Sequence, residues 1–224
     1  MRAIEGVGLS AIGLPLRKNA ISDTFKGTLL GAIPVSLMMI YALLSGYGAI
    51  SFNGIEVKAL LSAVAPLLLA GFLLAAWEEL TLRGYLLRQL SISLTPLGAA
   101  LITGIIFGLL HSGNPGANWE GVLYTAAGGM LMALLMFRTG SLWLLIGYHF
   151  GWNTTGSVIF GLDLSGFSES STIFNSTLTG EDWLTGGNYG FEASLPIVVA
   201  EVVVLGAACL FCNRSSKPAD FIPQ

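Results

Sequence analysis

The sequence predicts an all-α protein, a polytopic transmembrane helical bundle of about six spans, on three observations. Of its 224 residues, 54% are hydrophobic and only 10% are charged, whereas average proteins carry about a quarter charged residues. The apolar residues come in runs that can cross a bilayer core, which takes about 20 residues. No stretch shows the alternating pattern of a membrane β-barrel. This composition excludes a soluble globular protein, a disordered chain and a basic nucleic-acid-binding protein. We therefore expect the protein to contact membrane lipid and to bind no nucleic acid.

Six apolar stretches are long enough to be spans, and helices are their natural structure because lipid cannot satisfy free backbone groups. They are residues 27–49, 60–85, 96–112, 120–137, 141–161 and 195–212. Thr95 precedes a proline, as an N-cap does at the start of a helix, and Gly140 separates the fourth and fifth spans. The predicted parts are a cytosolic or interfacial segment 1–26, a transmembrane domain 27–212 with its motifs within 60–161, an outer loop 162–194 and a cytosolic tail 213–224.

Basic residues predict how the spans are oriented. With the N-terminus inside, nine of the ten Lys and Arg residues fall on the cytosolic side and only Lys58 falls outside, which agrees with the enrichment of basic residues in cytosolic loops. The 162–194 loop contains five acidic residues and no basic one, which suits the outer side. Both termini of this integral membrane protein are therefore expected in the cytosol.

Polar side chains inside the apolar spans carry the functional information, because each is costly in lipid and usually functional. Glu78 and Glu79 lie in the second span, and His111 ends the third. His149 and Asn153 lie in the fifth. The chain has only two histidines, and both lie inside membrane segments, so these five residues are the candidates for a functional site.

Helical spacing sorts the candidates. Glu79 and Arg83 are four residues apart and can pair within the helix. Glu78 is turned by about 100° from Glu79, so the two carboxylates are expected to point in different directions and to do different jobs. His149 and Asn153 share one helix face. From the rise per residue, the polar groups of the three helices reach similar depths, which predicts one buried pocket between the cytosolic face and the membrane midplane, open to a substrate from the cytosolic side.

This set of groups suits peptide hydrolysis. A carboxylate and an imidazole can hold and deprotonate one water molecule, while a second imidazole and an amide can donate hydrogen bonds to the oxyanion that forms on the attacked carbonyl. The sequence has no His-Glu-x-x-His motif, but Glu78, His111 and His149 could still ligate a zinc ion. Zinc and a metal-free mechanism therefore both remain open.

Three spaced motifs stand on successive helices. They are Glu78-Glu79-x-x-x-Arg83, Phe107-x-x-x-His111 and His149-x-x-x-Asn153. In residues, order and helix placement they resemble the motifs of the CPBP family, which comprises CAAX proteases and bacteriocin-processing enzymes, is also called the ABI family and includes the Rce1-type prenyl proteases. The resemblance covers roughly residues 60–161, and it is specific because it needs all three motifs at once.

The resemblance implies an intramembrane endopeptidase of a bacterial plasma membrane. The implied substrates are membrane-associated peptides or proteins, either lipidated CAAX-like tails or leader peptides. The implied catalytic residues are Glu78 and His111, which activate the water, and His149 and Asn153, which bind the oxyanion. The implied supporting residues are Glu79, Arg83 and Phe107. The family is commonly labelled metalloprotease, and a glutamate-dependent mechanism without metal is the competing account.

Two other classes of function are kept open. A non-catalytic scaffold or bacteriocin-immunity protein would bind a partner through the same helices, and replacing Glu78 or His111 would then leave its biological effect intact. A small transporter would use the intramembrane Glu and His residues as a proton relay, although the sequence shows no inverted repeat.

Overall fold

A computed structural model shows a helical bundle with a two-stranded sheet at one end. It describes residues 12–14, 19–54 and 57–211. For residues 57–61 it describes the backbone alone. The helices are α1 (Asn19–Ser45), α2 (Val57–Glu79), α3 (Leu87–Leu90), α4 (Pro96–Leu110), α5 (Trp119–Thr139), α6 (Leu142–Asn153), α7 (Asp182–Thr185) and α8 (Leu195–Phe211). π-Helical segments continue α2 over Leu80–Leu86 and α6 over Thr154–Ile159. The strands β1 (Gly48–Phe52) and β2 (Phe174–Leu178) pair antiparallel, with Gly48 opposite Leu178.

The predicted all-α membrane bundle is confirmed, and each of the six predicted spans contains a long helical stretch. Among the residues that the structure describes, three helical stretches are long and apolar enough to cross a membrane, namely Asn19–Ser45, Ser62–Leu90 and Trp119–Thr139. Pro96–Leu110 and Leu195–Phe211 are apolar but shorter. α6, which lies in the fifth predicted span, is lengthened by the π-helical segment that follows it.

Two predicted boundaries are wrong. α1 begins at Asn19, inside the predicted segment 1–26, and it ends at Ser45, so residues 48–52 form β1 instead of the end of the first span. The predicted 162–194 loop contains β2, which ties this loop to the end of α1. Apolar runs could not predict the pairing, because the two strands lie far apart in the sequence. The predicted tail 213–224 lies outside the described residues, as does most of the predicted segment 1–26.

Helix ends follow the signals in the sequence. Thr95 Oγ1 accepts a hydrogen bond from Gly98 N at 3.1 Å, so Thr95 caps α4 as predicted. Asn118 caps α5 in the same way, accepting from Gly121 N at 2.8 Å. Gly140 ends α5 with a φ of 61°, a left-handed conformation that suits glycine and lets the chain turn directly into α6.

Glycines bring two pairs of helices into close backbone contact. α1 packs on α6 through Gly27 and Gly31, which face the backbone of α6. Gly147 and Gly151 of α6 face the backbone of α1 in return. α4 and α5 approach each other in the same manner, with Gly104 and Gly108 of α4 against the backbone of α5. Small residues thus let both pairs of helix backbones approach closely, and α1 supports α6 on the side away from the other helices that carry the motifs.

Replacing Gly151 by alanine should destabilise the protein by about 1–3 kcal/mol. A Cβ at Gly151 would lie 2.1 Å from the carbonyl oxygen of Thr28, a backbone atom that can only yield if α1 moves. We expect a lower thermal unfolding midpoint of the purified protein in detergent. Gly206→Ala is the matched control, because a Cβ at Gly206 meets nothing within 4 Å. Equal midpoints for the two variants would contradict the close contact of α1 and α6.

The helix ends collect at the two ends of the bundle. One of them, which we call the basic end, holds the starts of α1 and α6, the end of α3 with Arg88, and the end of α8. Arg138 lies there and donates from Nε to the carbonyl oxygen of Cys209 at 2.7 Å. The other, which we call the loop end, holds the β1–β2 pair, the loop between α4 and α5 and residues 160–194.

Candidate active site

A cavity of about 480 Å³ lies between α2, α4, α5, α6 and α8. Four predicted catalytic residues line it together, namely Glu78, His111, His149 and Asn153. Glu78 comes from α2, His111 follows the last turn of α4, and His149 and Asn153 lie one turn apart on α6. The predicted convergence of polar groups from three helices is confirmed, while the catalytic role of each residue stays a prediction.

His149 lies between two carboxylates. Its Nδ1 is hydrogen-bonded to Glu79 Oε1 at 3.0 Å, and its Nε2 is 3.7 Å from Glu78 Oε2. The sequence correctly predicts that the two neighbouring carboxylates have different directions. What it does not show is that both directions end on the same imidazole, one carboxylate at each ring nitrogen. The ring is thereby fixed so that Nε2 is the nitrogen near Glu78.

Glu79 is in turn held by Arg83. Arg83 Nη1 donates to Glu79 Oε1 at 2.7 Å, and both side chains are fully buried. The predicted intrahelical pair is therefore present. Arg83 Nη2 also donates to the carbonyl oxygen of Gly129 on α5 at 3.2 Å. This chain of contacts runs from α5 through Arg83 and Glu79 to the His149 ring, and it fixes α2 against both α5 and α6.

Phe107 connects this network to the second histidine. The Arg83 guanidinium lies over the Phe107 ring, 4.5 Å from its centroid. The His111 ring meets the same ring edge-on with centroids 4.6 Å apart. His111 Nδ1 is 2.8 Å from the carbonyl oxygen of Phe107, so Nδ1–H donates, and Nε2 is the acceptor of the neutral ring. The backbone and ring of Phe107 thus position His111 in the cavity wall.

Glu78 has one carboxylate oxygen that accepts no hydrogen bond from the protein. This oxygen, Oε2, is buried and has no hydrogen-bond partner among the described residues, as is also true of Glu79 Oε2. The gap of 3.7 Å to His149 Nε2 is too long for a direct hydrogen bond, and a water in the cavity beside the two groups can contact both. An unpaired buried carboxylate oxygen costs free energy, so its presence beside an imidazole points to a bound water or substrate group.

π-Helical segments begin directly after both polar pairs, one after Glu79 and the other after Asn153. Such segments are rare and are frequently found at functional sites. Neither segment is predicted from the sequence, because neither contains a proline that would signal an irregular turn. They lie on two of the three helices that bring the catalytic candidates together.

The sequence did not identify several further cavity residues. Trp152 Nε1 donates to Glu192 Oε1 at 2.9 Å, and Ser165 donates to the other oxygen of Glu192, which fastens residues 160–194 to α6. Glu201, the lone acidic residue of the last span, accepts a hydrogen bond from Tyr148 at 3.3 Å. Its intramembrane position is a signal for function, but no spacing rule could name a partner on another helix.

The cavity reaches the loop end. Residues of the loop end line it, among them Asn114, Ser165 and Phe167. α4 ends at Leu110, so His111 lies at the end of its helix, as predicted. The depth predicted for the pocket, between the cytosolic face and the midplane, stays a prediction.

The described residues contain no group of three His, Cys, Asp or Glu side chains spaced to hold a metal ion. Glu78 and His149 approach each other, but His111 does not complete a ligand set with them. The arrangement therefore does not fit the predicted zinc set of Glu78, His111 and His149. Zinc stays a prediction from the sequence, and the mechanism below uses the side chains alone.

Comparison with known proteins agrees with the motifs. Residues 60–155 match the family model described as type II CAAX prenyl endopeptidase Rce1-like, which confirms the resemblance to the CPBP family over the segment that carries all three motifs. A relative from Bacillus subtilis (strain 168), described as uncharacterized protein YyaK, is 30% identical over 145 residues. The match covers 62% of this chain and 45%, less than half, of that relative. No solved structure matches the chain significantly.

Proposed function

We propose that this chain, whose residues 60–155 match the Rce1-like endopeptidases, is an intramembrane endopeptidase that hydrolyses peptide bonds with a glutamate-activated water. One observation carries the proposal. An unpartnered carboxylate oxygen of Glu78 lies 3.7 Å from His149 Nε2, in a cavity that His111 and Asn153 also line. A water between these groups would touch a base and face a second imidazole and an amide.

The proposed reaction begins at this water. It donates one hydrogen bond to Glu78 and one to Nε2 of His111, the nitrogen that the Phe107 carbonyl leaves without a proton. As the water oxygen bonds to the peptide carbonyl carbon, Glu78 takes its proton. Glu78 then gives that proton to the amide nitrogen as the C–N bond breaks, and the carboxylate is restored.

The oxyanion that forms on the carbonyl carbon is held from α6. With Glu79 accepting at Nδ1 and Glu78 near Nε2, the His149 ring is placed to hold a proton on each nitrogen and to donate from Nε2–H. Asn153, one turn further along α6, supplies a second donor from its amide. Such preorganised donors stabilise developing charge more than any solvent molecule can. Glu79 and Arg83 position His149 and do not touch the reacting atoms.

The proposed substrates are membrane-associated peptides or proteins, including lipidated tails and leader peptides. Apolar residues on the outer surface support this, because Leu74, Trp77 and Leu110 line the cavity and yet are exposed, Trp77 to 67% and Leu110 to 66%. These side chains form an apolar rim on which a lipid-embedded segment can lie. We further propose that the protein resides in a bacterial plasma membrane with both termini in the cytosol.

Replacing Asn153 by alanine tests the oxyanion site. We expect kcat to fall about 100-fold with little change in KM, because the lost donor acts mainly in the transition state. The assay uses the full chain in lipid vesicles and fluorogenic peptides with and without a lipid group. Thr154→Ala is the matched control, since the neighbouring Thr154 does not line the cavity, and it should cleave like the wild type.

The outcomes separate the proposal from its alternative. Full activity of Asn153→Ala would contradict an oxyanion role for this residue. A wild-type protein that cleaves no peptide, together with an unchanged biological effect of the Asn153→Ala variant, would favour the scaffold or immunity function.

A further inference from the structure

We propose that Glu201 on α8 binds a cationic side chain of the substrate, a lysine or an arginine, and so determines which peptides the protein prefers. The inference rests on the proposed function for the word substrate, while the binding site itself does not depend on catalysis. It names the substrate class as membrane-associated peptides with a basic residue near the bond that is cut. Glu201 lies outside residues 60–155, so the family match gives it no role.

The Glu201 carboxylate is buried and incompletely satisfied. Glu201 is only 9% exposed and lines the cavity. Tyr148 donates to its Oε1 at 3.3 Å, a longer contact than the roughly 2.5–2.7 Å that a hydroxyl makes with a charged carboxylate. No described residue donates to its Oε2. Because a buried carboxylate is costly unless it is paired, this group calls for a further partner that reaches it through the cavity.

The space around Glu201 is fitted to a carboxylate with a ligand beside it. A Cβ at Gly128 on α5 would lie 2.7 Å from Glu201 Oε1 and 2.8 Å from Oε2, so the glycine leaves the room that the carboxylate occupies. Met132, one turn beyond Gly128, and Ile197, one turn before Glu201, line the same cavity. A lysine or arginine lays its methylene groups on such apolar side chains while its charge meets the carboxylate.

The other carboxylates of the cavity have other tasks. Among the described residues, no lysine or arginine lines the cavity, and four glutamates do, namely Glu78, Glu169, Glu192 and Glu201. Glu78 holds the attacking water in the proposed reaction. Glu192 already accepts a hydrogen bond at each of its two oxygens. Glu169 is exposed, so solvent screens its charge. Glu201 is therefore the glutamate that offers a free, unscreened oxygen to a cation inside the cavity.

The charges near the catalytic candidates leave Glu201 uncompensated. The Arg83 guanidinium is paired with Glu79 at 2.7 Å and does not line the cavity. The doubly protonated His149 of the proposed reaction has Glu78 at its other nitrogen, 3.7 Å away. These two cations and two carboxylates balance one another, and the charge of Glu201 is left over. A cavity with a surplus of negative charge and apolar walls attracts cations.

Glu201 lies close enough to the proposed reaction to affect which bond is cut. It contacts Tyr148, which directly precedes His149 on α6. The same helix carries Asn153, and both of these residues are the proposed oxyanion donors. A substrate side chain held at Glu201 therefore belongs to a residue near the scissile bond.

Paired peptides test the inference on the wild-type chain in lipid vesicles. Both members of a pair are acetylated and amidated at their ends and differ at one position near the scissile bond, where one has lysine and the other has the uncharged norleucine. At one such position we expect kcat/KM to be about 10- to 100-fold higher for the lysine peptide, the gain from a hydrogen bond between charged groups. Equal values at every position would overturn the inference and leave the proposed function standing. A preference for a free N-terminus without one for lysine would assign the carboxylate to the terminal ammonium and overturn the side-chain assignment.

Glu201→Gln ties the preference to this carboxylate. Glutamine keeps the shape and can still accept from Tyr148, but it has no charge, so we expect the preference for lysine to disappear. Glu181→Gln is the matched control, because Glu181 is an exposed carboxylate at the loop end that does not line the cavity, and the preference should persist. Gly128→Ala is a second variant, since its Cβ displaces the Glu201 carboxylate, and it should weaken the preference as well. A full preference for lysine in either folded variant would overturn the inference.

A binding measurement separates this inference from the proposed function. Fluorescently labelled lysine and norleucine peptides are titrated with the Glu78→Gln protein, and their anisotropy is followed. We expect the lysine peptide to bind about 10- to 100-fold more tightly and this difference to vanish when Glu201→Gln is added. Equal binding of the two peptides would overturn the cation site. The expected difference in binding, together with a wild-type protein that cleaves neither peptide, would overturn the proposed function and leave the cation site intact.

Discussion

Replacing Glu78 by glutamine should abolish peptide cleavage while leaving the protein folded. Glutamine has the same shape as glutamate, but its amide cannot accept the proton of the attacking water, and the loss of a general base lowers the rate by about 10³-fold. Little stability should be lost, because Glu78 Oε2 has no hydrogen-bond partner among the described residues. The measurements are kcat/KM in lipid vesicles and the thermal unfolding midpoint.

Glu169→Gln is the matched control for this experiment. Glu169 is a carboxylate at the mouth of the same cavity, but it is exposed and lies among the loop-end residues. The control should cleave at close to the wild-type rate. If Glu78→Gln cleaves as fast as the control, the proposed water activation by Glu78 is wrong.

Replacing Glu79 by alanine should have the largest effect on stability, about 3–5 kcal/mol in the free energy of unfolding. The substitution leaves the Arg83 guanidinium charged, fully buried and without its carboxylate. Cleavage should fall as well, because His149 loses the acceptor that fixes its ring. The measurement is reversible unfolding in mixed detergent micelles, followed by the cleavage assay on the folded fraction.

A double substitution distinguishes a positioning role from a merely structural one. Glu79→Leu with Arg83→Leu removes both charges and should recover most of the lost stability, since apolar side chains can replace a buried ion pair. It should not recover activity, because His149 Nδ1 still lacks its partner. An active double variant would mean that Glu79 stabilises the bundle without positioning His149.

The sequence predicts the composition of the site well. Rare polar residues in apolar spans stand out because burial makes each of them costly, and the spacing of Glu79 and Arg83 defines a pair inside one helix. Local signals such as Thr95 before a proline also define helix starts reliably. All of these depend on residues within a few positions of one another.

What the sequence does not predict depends on contacts between distant residues. Helical phase shows that Glu78 and Glu79 diverge, but only the position of α6 shows that His149 lies between them. The attachment of Trp152 to Glu192 joins a helix to a remote loop, and no periodicity reports such a contact.

The contact of α1 with α6 has a consequence for any attempt to shorten the protein. α1 supports the helix of His149 and Asn153 through backbone contacts, yet it lies before residue 60, where the family match begins. Glu192 and Glu201 lie after residue 155, where the match ends. The segment with the motifs is therefore smaller than the unit that can fold around them, and a truncated version limited to residues 60–155 would carry every catalytic candidate without the scaffolding that holds α6 in place.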